Sequence, residues 1–581
     1  MSKLLCSICC FGLLCLFCGC NSHLDPGGDP HGAYQLTVAT TGSGSGTVTS
    51  SPSGIDCGTT CTADFATGTA VTLTAVSGPA STFAGWAGGC TGTGTCSVTL
   101  NANTAVRASF NAEQGLSLIN HVIILVQENR SLDNYLGALR EYWAQNGYPD
   151  QSFDGLPQFN PATGAAPLQG PAPSIPGCNP SDPAPGSDCI WDPSNPVTSF
   201  HLKTMCTENT SPSWNEAHAD WNYNDQVGLY PAENNGFVWT AGHDARALGY
   251  YDTDGIRAMG YYDGGDLNYL YFMASKFGTS DRWFHPAMSR TNINREYLLA
   301  GTSAGYAYPE GTNSNDSALI KAKTIFEDMQ DAGITWKIYV NPTNSGCSGP
   351  PYQASCLMTL SYLQNFTYAQ TVVSQYPQNI QPISQYFTDL QNGTLPQVAE
   401  IEPATDAGED EHGSDSDSAA SNIQTGENYA SSLINALMTS TSWSSSVLFM
   451  TYDESGGLYD HVPPQPMPSP DGIKPVDLQP GNACNNGYTG PTCDFVYTGY
   501  RIPLVVISPY AKKNYVSHTV ADYTAFLKFI ETRFNLPSLT KRDAAQMDMT
   551  EFFDFNNPPW MTPPTPPAQN TSGACYLDHL P

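Results

Sequence analysis

Ile119-Asn120-His121-Val122-Ile123-Ile124-Leu125-Val126 runs without a break into Gln127-Glu128-Asn129-Arg130-Ser131. The apolar run has the pattern of a strand buried on both faces, and such strands belong to parallel sheets covered by helices. Two more runs share its character: Ser446-Val447-Leu448-Phe449-Met450-Thr451-Tyr452 and Ile502-Pro503-Leu504-Val505-Val506-Ile507-Ser508. Helical periodicity accompanies them over residues 318–332, 426–438 and 522–534. Buried strands alternating with helices predict an α/β fold with a mostly parallel sheet flanked by helices.

Two of these runs end in oxygen-rich pairs. Glu128-Asn129 follows the first, and Asp453-Glu454-Ser455-Gly456-Gly457 follows the second. Open α/β sheets bind ligands at the carboxyl ends of their strands, so both pairs are delivered to one edge. Carboxylate and amide oxygens are ligands of hard or borderline divalent metals. Either acid alone reads equally well as a helix cap; the two pairs together predict a metal site.

A third element, Ser289-Arg290-Thr291-Asn292-Ile293-Asn294-Arg295, offers a hydroxyl and a guanidinium. A threonine becomes a nucleophile only when a base or a metal lowers its pKa, and a helix N-terminus helps hold the phosphate it attacks. Spacing alone favours reading Thr291 as an ordinary N-cap before a helix. Arg295 has the fork that pairs two phosphate oxygens. His218, His412, His461 and His518 sit in polar settings and are candidates for proton transfer, phosphate orientation or metal ligation.

Outward from this region the texture changes. Residues 34–112 are rich in Gly, Thr, Ser, Ala and Val, with alternating stretches at residues 34–38 and 70–75, and they predict a small all-β module. With Phe83-Ala84-Gly85-Trp86, Cys90, Cys96 and Val106 to Phe110, this module resembles the bacterial surface repeat related to internalin B-repeats, which implies a spacer or adhesion role. Residues 155–196 read as a long insertion on the α/β scaffold, which extends over residues 116–557, and residues 558–581 as an extended Pro-rich tail. Residues 21–33 read as a linker. Lys3, the apolar run from Leu4 to Phe17, and Gly19-Cys20 read as a signal peptide over residues 1–20, too short to span a bilayer. Phe17-Cys18-Gly19-Cys20 also resembles a lipoprotein signal with Cys20 as the lipidated residue, although Phe17 stands where Leu is usual. Both readings predict an exported protein, and the second a membrane attachment.

The 53 acidic and 22 basic residues leave a formal net charge of −31, which repels nucleic acid and anionic lipid at long range. A phosphate-ester substrate remains compatible, because a bound metal reverses the local field. Beyond the first twenty residues twelve cysteines remain. An even number in an exported chain predicts disulfides, with local pairs Cys57–Cys61, Cys90–Cys96, Cys347–Cys356 and Cys484–Cys493.

Longer motifs carry a family resemblance. HVIILVQENRSLDNYLG from His121, MGYY from Met259, RTNINR from Arg290, TYDESGGLYDHVPP from Thr451, RIPLVVISP from Arg501 and YVSHTVADYTAFLKFIETRFNLPSLTKRD from Tyr515 resemble the bacterial phosphoesterases that include phosphatidylcholine-type phospholipases C and related acid phosphatases. The resemblance covers roughly residues 116–555. It implies an alkaline-phosphatase-like fold and a covalent phosphoryl-enzyme on a metal-bound Ser or Thr. It also implies Glu128, Asn129, Thr291, Asp453 and Glu454 as ligands of a divalent metal ion, Thr291 as nucleophile, and roles for His412, His461 and His218. The chain departs from the family at Arg290 and Ile293, which replace two prolines, at Gly413 after His412, at Ser455, and at Pro212, near where a histidine is common. The expectation is an exported phosphoesterase, phospholipase C-like, acting on a phosphate ester or a phospholipid. The alternatives are an acid phosphatase for monoesters and, from another class, a surface adhesin with an inactive hydrolase domain.

Overall fold

The computed structural model describes residues 32–78, 81–112, 114–159, 170–181, 188–228, 231–309, 319–404, 407–413, 422–485 and 491–580. The signal peptide, Cys20 and most of the linker lie outside them. The chain divides after Glu113 into two compact units.

The larger unit is built on an eight-stranded sheet. Its strands, in chain order, are β1 His121–Gln127, β2 Gly278–Ser280, β3 Trp336–Val340, β4 Ile380–Pro382, β5 Val398–Glu402, β6 Ser446–Tyr452, β7 Leu504–Ile507 and β8 Tyr515–Ser517. They lie side by side in the order β4-β3-β5-β1-β6-β7-β2-β8. Only β7 runs against the rest, antiparallel to both of its neighbours. The sheet is therefore mostly parallel, as the apolar runs predict, and the predicted β1 and β6 are adjacent in parallel register, Gln127 opposite Tyr452. The third run holds the reversed strand. Because Thr451 of β6 pairs with Leu504 of β7, Arg501, just before β7, lies at the edge where β6 ends.

Helices bury apolar stripes in the core the sheet shares. Ile423–Thr439 contributes Leu433, Ile434 and Leu437, and Ala525–Phe534 contributes Phe526, Phe529 and Ile530. Phe526 packs 4.9 Å from Trp283 and 4.8 Å from Phe449, ring centre to ring centre. The helix expected over residues 318–332 is shorter, Ile325–Asp331, because the Thr324 side chain accepts the Glu327 N–H and starts it there. The insertion folds on itself. Ser174–Cys178 and Trp191–Thr198 pair antiparallel and are stapled by Cys178–Cys189. The Pro-rich tail is not a free extension: Cys575 is bonded to Cys206, and Gly573 donates its N–H to Gln424. The four local disulfides form as expected. Among the described residues no helix is long and apolar enough to cross a membrane.

The smaller unit is all-β. Two four-stranded sheets, one centred on Ala33–Thr41 and Thr104–Ala112 and the other on Gly46–Ser51 and Ala70–Ser77, enclose Leu36, Val48, Leu73, Trp86 and Phe110.

Candidate active site

The ends of β1 and β6 are cross-linked as one turn. Asp453 N–H donates to the Gln127 carbonyl, Asn129 N–H to Asp453 Oδ1 at 3.0 Å, and Arg130 N–H to the Glu454 carbonyl. Asn129 sits at φ +64°, a left-handed conformation that asparagine tolerates better than most residues. Gly456 sits at φ +68°, and a Cβ there would lie 2.4 Å from the Asn129 carbonyl oxygen, so the loop after β6 closes on the loop after β1 only with glycine.

This clasp leaves polar atoms without protein partners. Asn129 Oδ1, Asp453 Oδ2 and Glu454 Oε1 are buried and accept no hydrogen bond among the described residues. Burial and the Asp453 charge raise the pKa of Glu128; burial raises Asp453, and burial with Asp453 raises Glu454 well above the usual carboxylate range. Orphaned acceptors among acids so short of compensating charge suit a hard divalent cation, which supplies both the missing partner and the missing charge.

Thr291 opens the helix Thr291–Ala300, with Arg290 as its N-cap residue. Asn294 fixes this entry: it accepts the Ala287 N–H at 3.0 Å and donates to the Ser289 carbonyl at 2.7 Å. Thr291 is half-buried and stabilises the charge of Asp453 through its side chain. It lines a cavity of about 490 Å³ together with Asn129, Asp244, Arg290, His412 and Glu454. Three of the five residues expected to hold a metal thus line this cavity, Asp453 is hydrogen-bonded to Asn129 beside it, and Glu128 lines a second cavity with Tyr362 and Glu402.

Arg295 is not free to bind phosphate. It is buried, with Nη1 2.9 Å from Glu402 Oε2, and Nη2 3.1 Å from the Val126 carbonyl and 3.4 Å from Glu128 Oε1. Its guanidinium lies 4.9 Å from the Tyr362 ring centre, and Tyr362 donates its hydroxyl to Glu128 Oε1 at 2.9 Å. Arg295 therefore braces the acids from behind. Glu402, at the end of β5, and Tyr362 belong to this set; the alternating Val398-Ala399-Glu400-Ile401-Glu402 was the available signal for a strand carrying acids to the same edge.

The histidines separate. His412 reaches the cavity because Glu411 anchors its loop: Glu411 takes φ +72°, its carboxylate accepts from Tyr135 at 2.6 Å and Gln127 at 3.1 Å, and Arg130 clasps its carbonyl. His218 lines no part of the cavity. It is buried between the carbonyls of Trp214 and Thr492, and burial lowers its pKa to about 4. His461 belongs to a separate ion-pair network. Nδ1 is 2.7 Å from Asp133 Oδ2, and Nε2 is 3.3 Å from Asp154 Oδ1. Burial alone would lower its pKa, but these carboxylates outweigh burial and raise it to about 9. Asp133, Asp460 and His461 stand close enough to share a metal ion. The Arg501 guanidinium already fills that place, 2.5 Å from Asp460 and 3.1 Å from Asp133.

Comparison with known proteins places the two units in families. The model of the Phosphoesterase family matches residues 119–537, and that of the divergent InlB B-repeat domain matches residues 34–114. Phospholipase C B of Mycobacterium tuberculosis is 27% identical over 477 residues, 76% of this chain and 79% of that protein. A non-hemolytic phospholipase C of Burkholderia pseudomallei is 28% identical, covering 78% of this chain and 61% of its own length. Non-specific phospholipase C5 of Arabidopsis thaliana is 25% identical, covering 73% of this chain and 72% of that protein. Among solved structures, a Vibrio parahaemolyticus protein of the alkaline phosphatase superfamily aligns over 49% of this chain and 66% of its own, at 9% identity and a TM-score of 0.28. That score carries no weight; the fold stands on the sheet order above.

Proposed function

Because the chain belongs to the Phosphoesterase family, enzymes that hydrolyse phosphoric esters, we propose that it works through a phosphothreonine at Thr291 and is phospholipase C-like. The observation that carries the reading is Thr291 at a helix start, facing a cavity walled by Asn129, Glu454 and His412. A divalent cation held by Glu128, Asn129, Thr291, Asp453 and Glu454 would polarise the phosphoryl group and lower the pKa of Thr291. Thr291 and Asp453 are neighbours, and the Thr291 side chain stabilises the Asp453 charge. Oγ forms the new P–O bond as the bond to the alcohol breaks, and His412 gives the leaving oxygen its proton. His412 then takes a proton from water, which attacks the same phosphorus and frees Thr291. Arg295 keeps Glu128 and Asp453 in place throughout.

The phospholipases C among the relatives favour a phospholipid substrate, and the net charge of −31 favours a zwitterionic headgroup over an anionic one. An acid phosphatase acting on monoesters is the second reading, because Arg290 adds a positive charge to the cavity wall. Six disulfides support an exported protein. Thr291→Ala is expected to abolish hydrolysis of an aryl phosphate while the melting temperature stays at the wild-type value. Full turnover in that variant, or activity that survives prolonged chelation, overturns the mechanism.

A further inference from the structure

We propose that Arg290 is the anion clamp of the Thr291 cavity, binding the non-bridging oxygens of the phosphoryl group and favouring a doubly charged one. The inference rests on the phosphoester reading and assigns a residue that departs from the family pattern.

The argument begins with Arg295. Both of its terminal nitrogens are committed to Glu402, Glu128 and the Val126 carbonyl, so it offers no fork to a ligand. A phosphoryl group entering the cavity instead meets the carboxylates of Asp244 and Glu454 on its wall. At close range these repel an anion strongly. Among the described wall residues Arg290 carries the one guanidinium. Its side chain is exposed rather than buried in the protein. Among the described residues no carboxylate pairs with it at ion-pair distance.

Position and chemistry agree. Arg290 immediately precedes Thr291, so a phosphoryl group placed for attack by Oγ lies within reach of its long side chain. A planar fork pairs two such oxygens at once, which a lysine cannot do. Arg290 supplies a positive charge on a wall that otherwise carries Asp244 and Glu454. Coulomb attraction scales with the charge on the ligand, so Arg290 contributes more toward a monoester dianion than toward a diester monoanion.

The test uses the full chain, its metal content measured, as wild type, Arg290→Gln and Arg290→Lys. Inorganic phosphate is titrated calorimetrically, and kcat and KM are measured for p-nitrophenyl phosphate and bis(p-nitrophenyl) phosphate. Arg290→Gln is expected to weaken phosphate binding about 10- to 100-fold, the loss of a charge-assisted pair. The loss in kcat/KM should be larger for the monoester than for the diester. Arg290→Lys should keep part of the affinity, with metal content and melting temperature unchanged in both. Phosphate affinity in Arg290→Gln within about twofold of wild type overturns the clamp, and equal losses on both esters overturn the charge preference. A wild type that hydrolyses neither ester refutes the phosphoester reading, while the phosphate titration still reports on Arg290.

Discussion

His461 offers the sharpest separation of a structural role from a catalytic one. It joins the loop after β6 to the helix Leu132–Leu136 through Asp133, and to Asp154. An unfolded imidazole titrates near pH 6.5, and the folded one at about 9. Each tenfold gain in proton affinity is worth about 1.4 kcal/mol, so the protonated form contributes about 3 kcal/mol to folding. The sign follows from a raised pKa: this contribution is complete below pH 6.5 and is lost as pH rises through 9. His461→Asn should therefore lower stability by about 3 kcal/mol at pH 6, and the deficit should shrink toward zero by pH 10. The assay is urea or thermal unfolding of wild type and variant across that range, with kcat measured alongside. A deficit that stays constant from pH 6 to 10 refutes the ion-pair account. A loss of kcat of about a thousandfold with unchanged stability would instead make His461 a proton donor in the reaction.

Three other outcomes test neighbouring parts. Glu411→Ala leaves the buried Tyr135 hydroxyl without its acceptor and takes one of two from the Gln127 amide, so unfolding free energy should fall by about 1–3 kcal/mol, and kcat should fall with it as His412 loses its anchor; wild-type kcat would show that His412 is placed without Glu411. Replacing Cys206 and Cys575 by serine opens a link between residues 369 apart and should cost about 2–5 kcal/mol, read as a lower melting temperature. Deleting residues 34–112 should leave kcat/KM within about twofold, because a unit with its own core folds and acts alone; a larger loss assigns the module a part in catalysis.

The scaffold was legible because burial on both faces leaves an unmistakable apolar run, and the two longest runs proved to be adjacent parallel strands. The reversed direction of β7 was not legible, since a short buried run has the same composition either way; Pro503, which has no N–H for the ladder, marks only where it starts. The acids at 128 and 453 could be read from their place at strand ends. Thr291 could not, because an N1 threonine looks the same whether or not a cavity lies before it, and the family motif supplied that role. The cavity includes His412 but not His461 or His218, and the sequence could not separate them. Polar flanking residues do not distinguish a histidine facing a cavity from one facing Asp133 or a backbone carbonyl.

The buried arginine explains why the site tolerates so many acids at one edge. Glu128, Glu402 and Asp453 converge on Arg295, and removing three carboxylates from water is costly unless each finds a partner. Arg295 meets one oxygen of Glu402, leaving Oε1 without a partner among the described residues, and shares Glu128 with Tyr362, but its Nε stands 3.8 Å from Asp453 Oδ2, too far for a hydrogen bond. That oxygen stays open toward the side where Asn129 and Glu454 also present unfilled acceptors. Arg295 and Thr291 sit one turn apart on the same helix. Bracing the acids and presenting Thr291, the proposed nucleophile, are therefore set by one rigid element. A shift of that helix would disturb both together, so substitutions that loosen it should lower metal affinity and turnover in parallel.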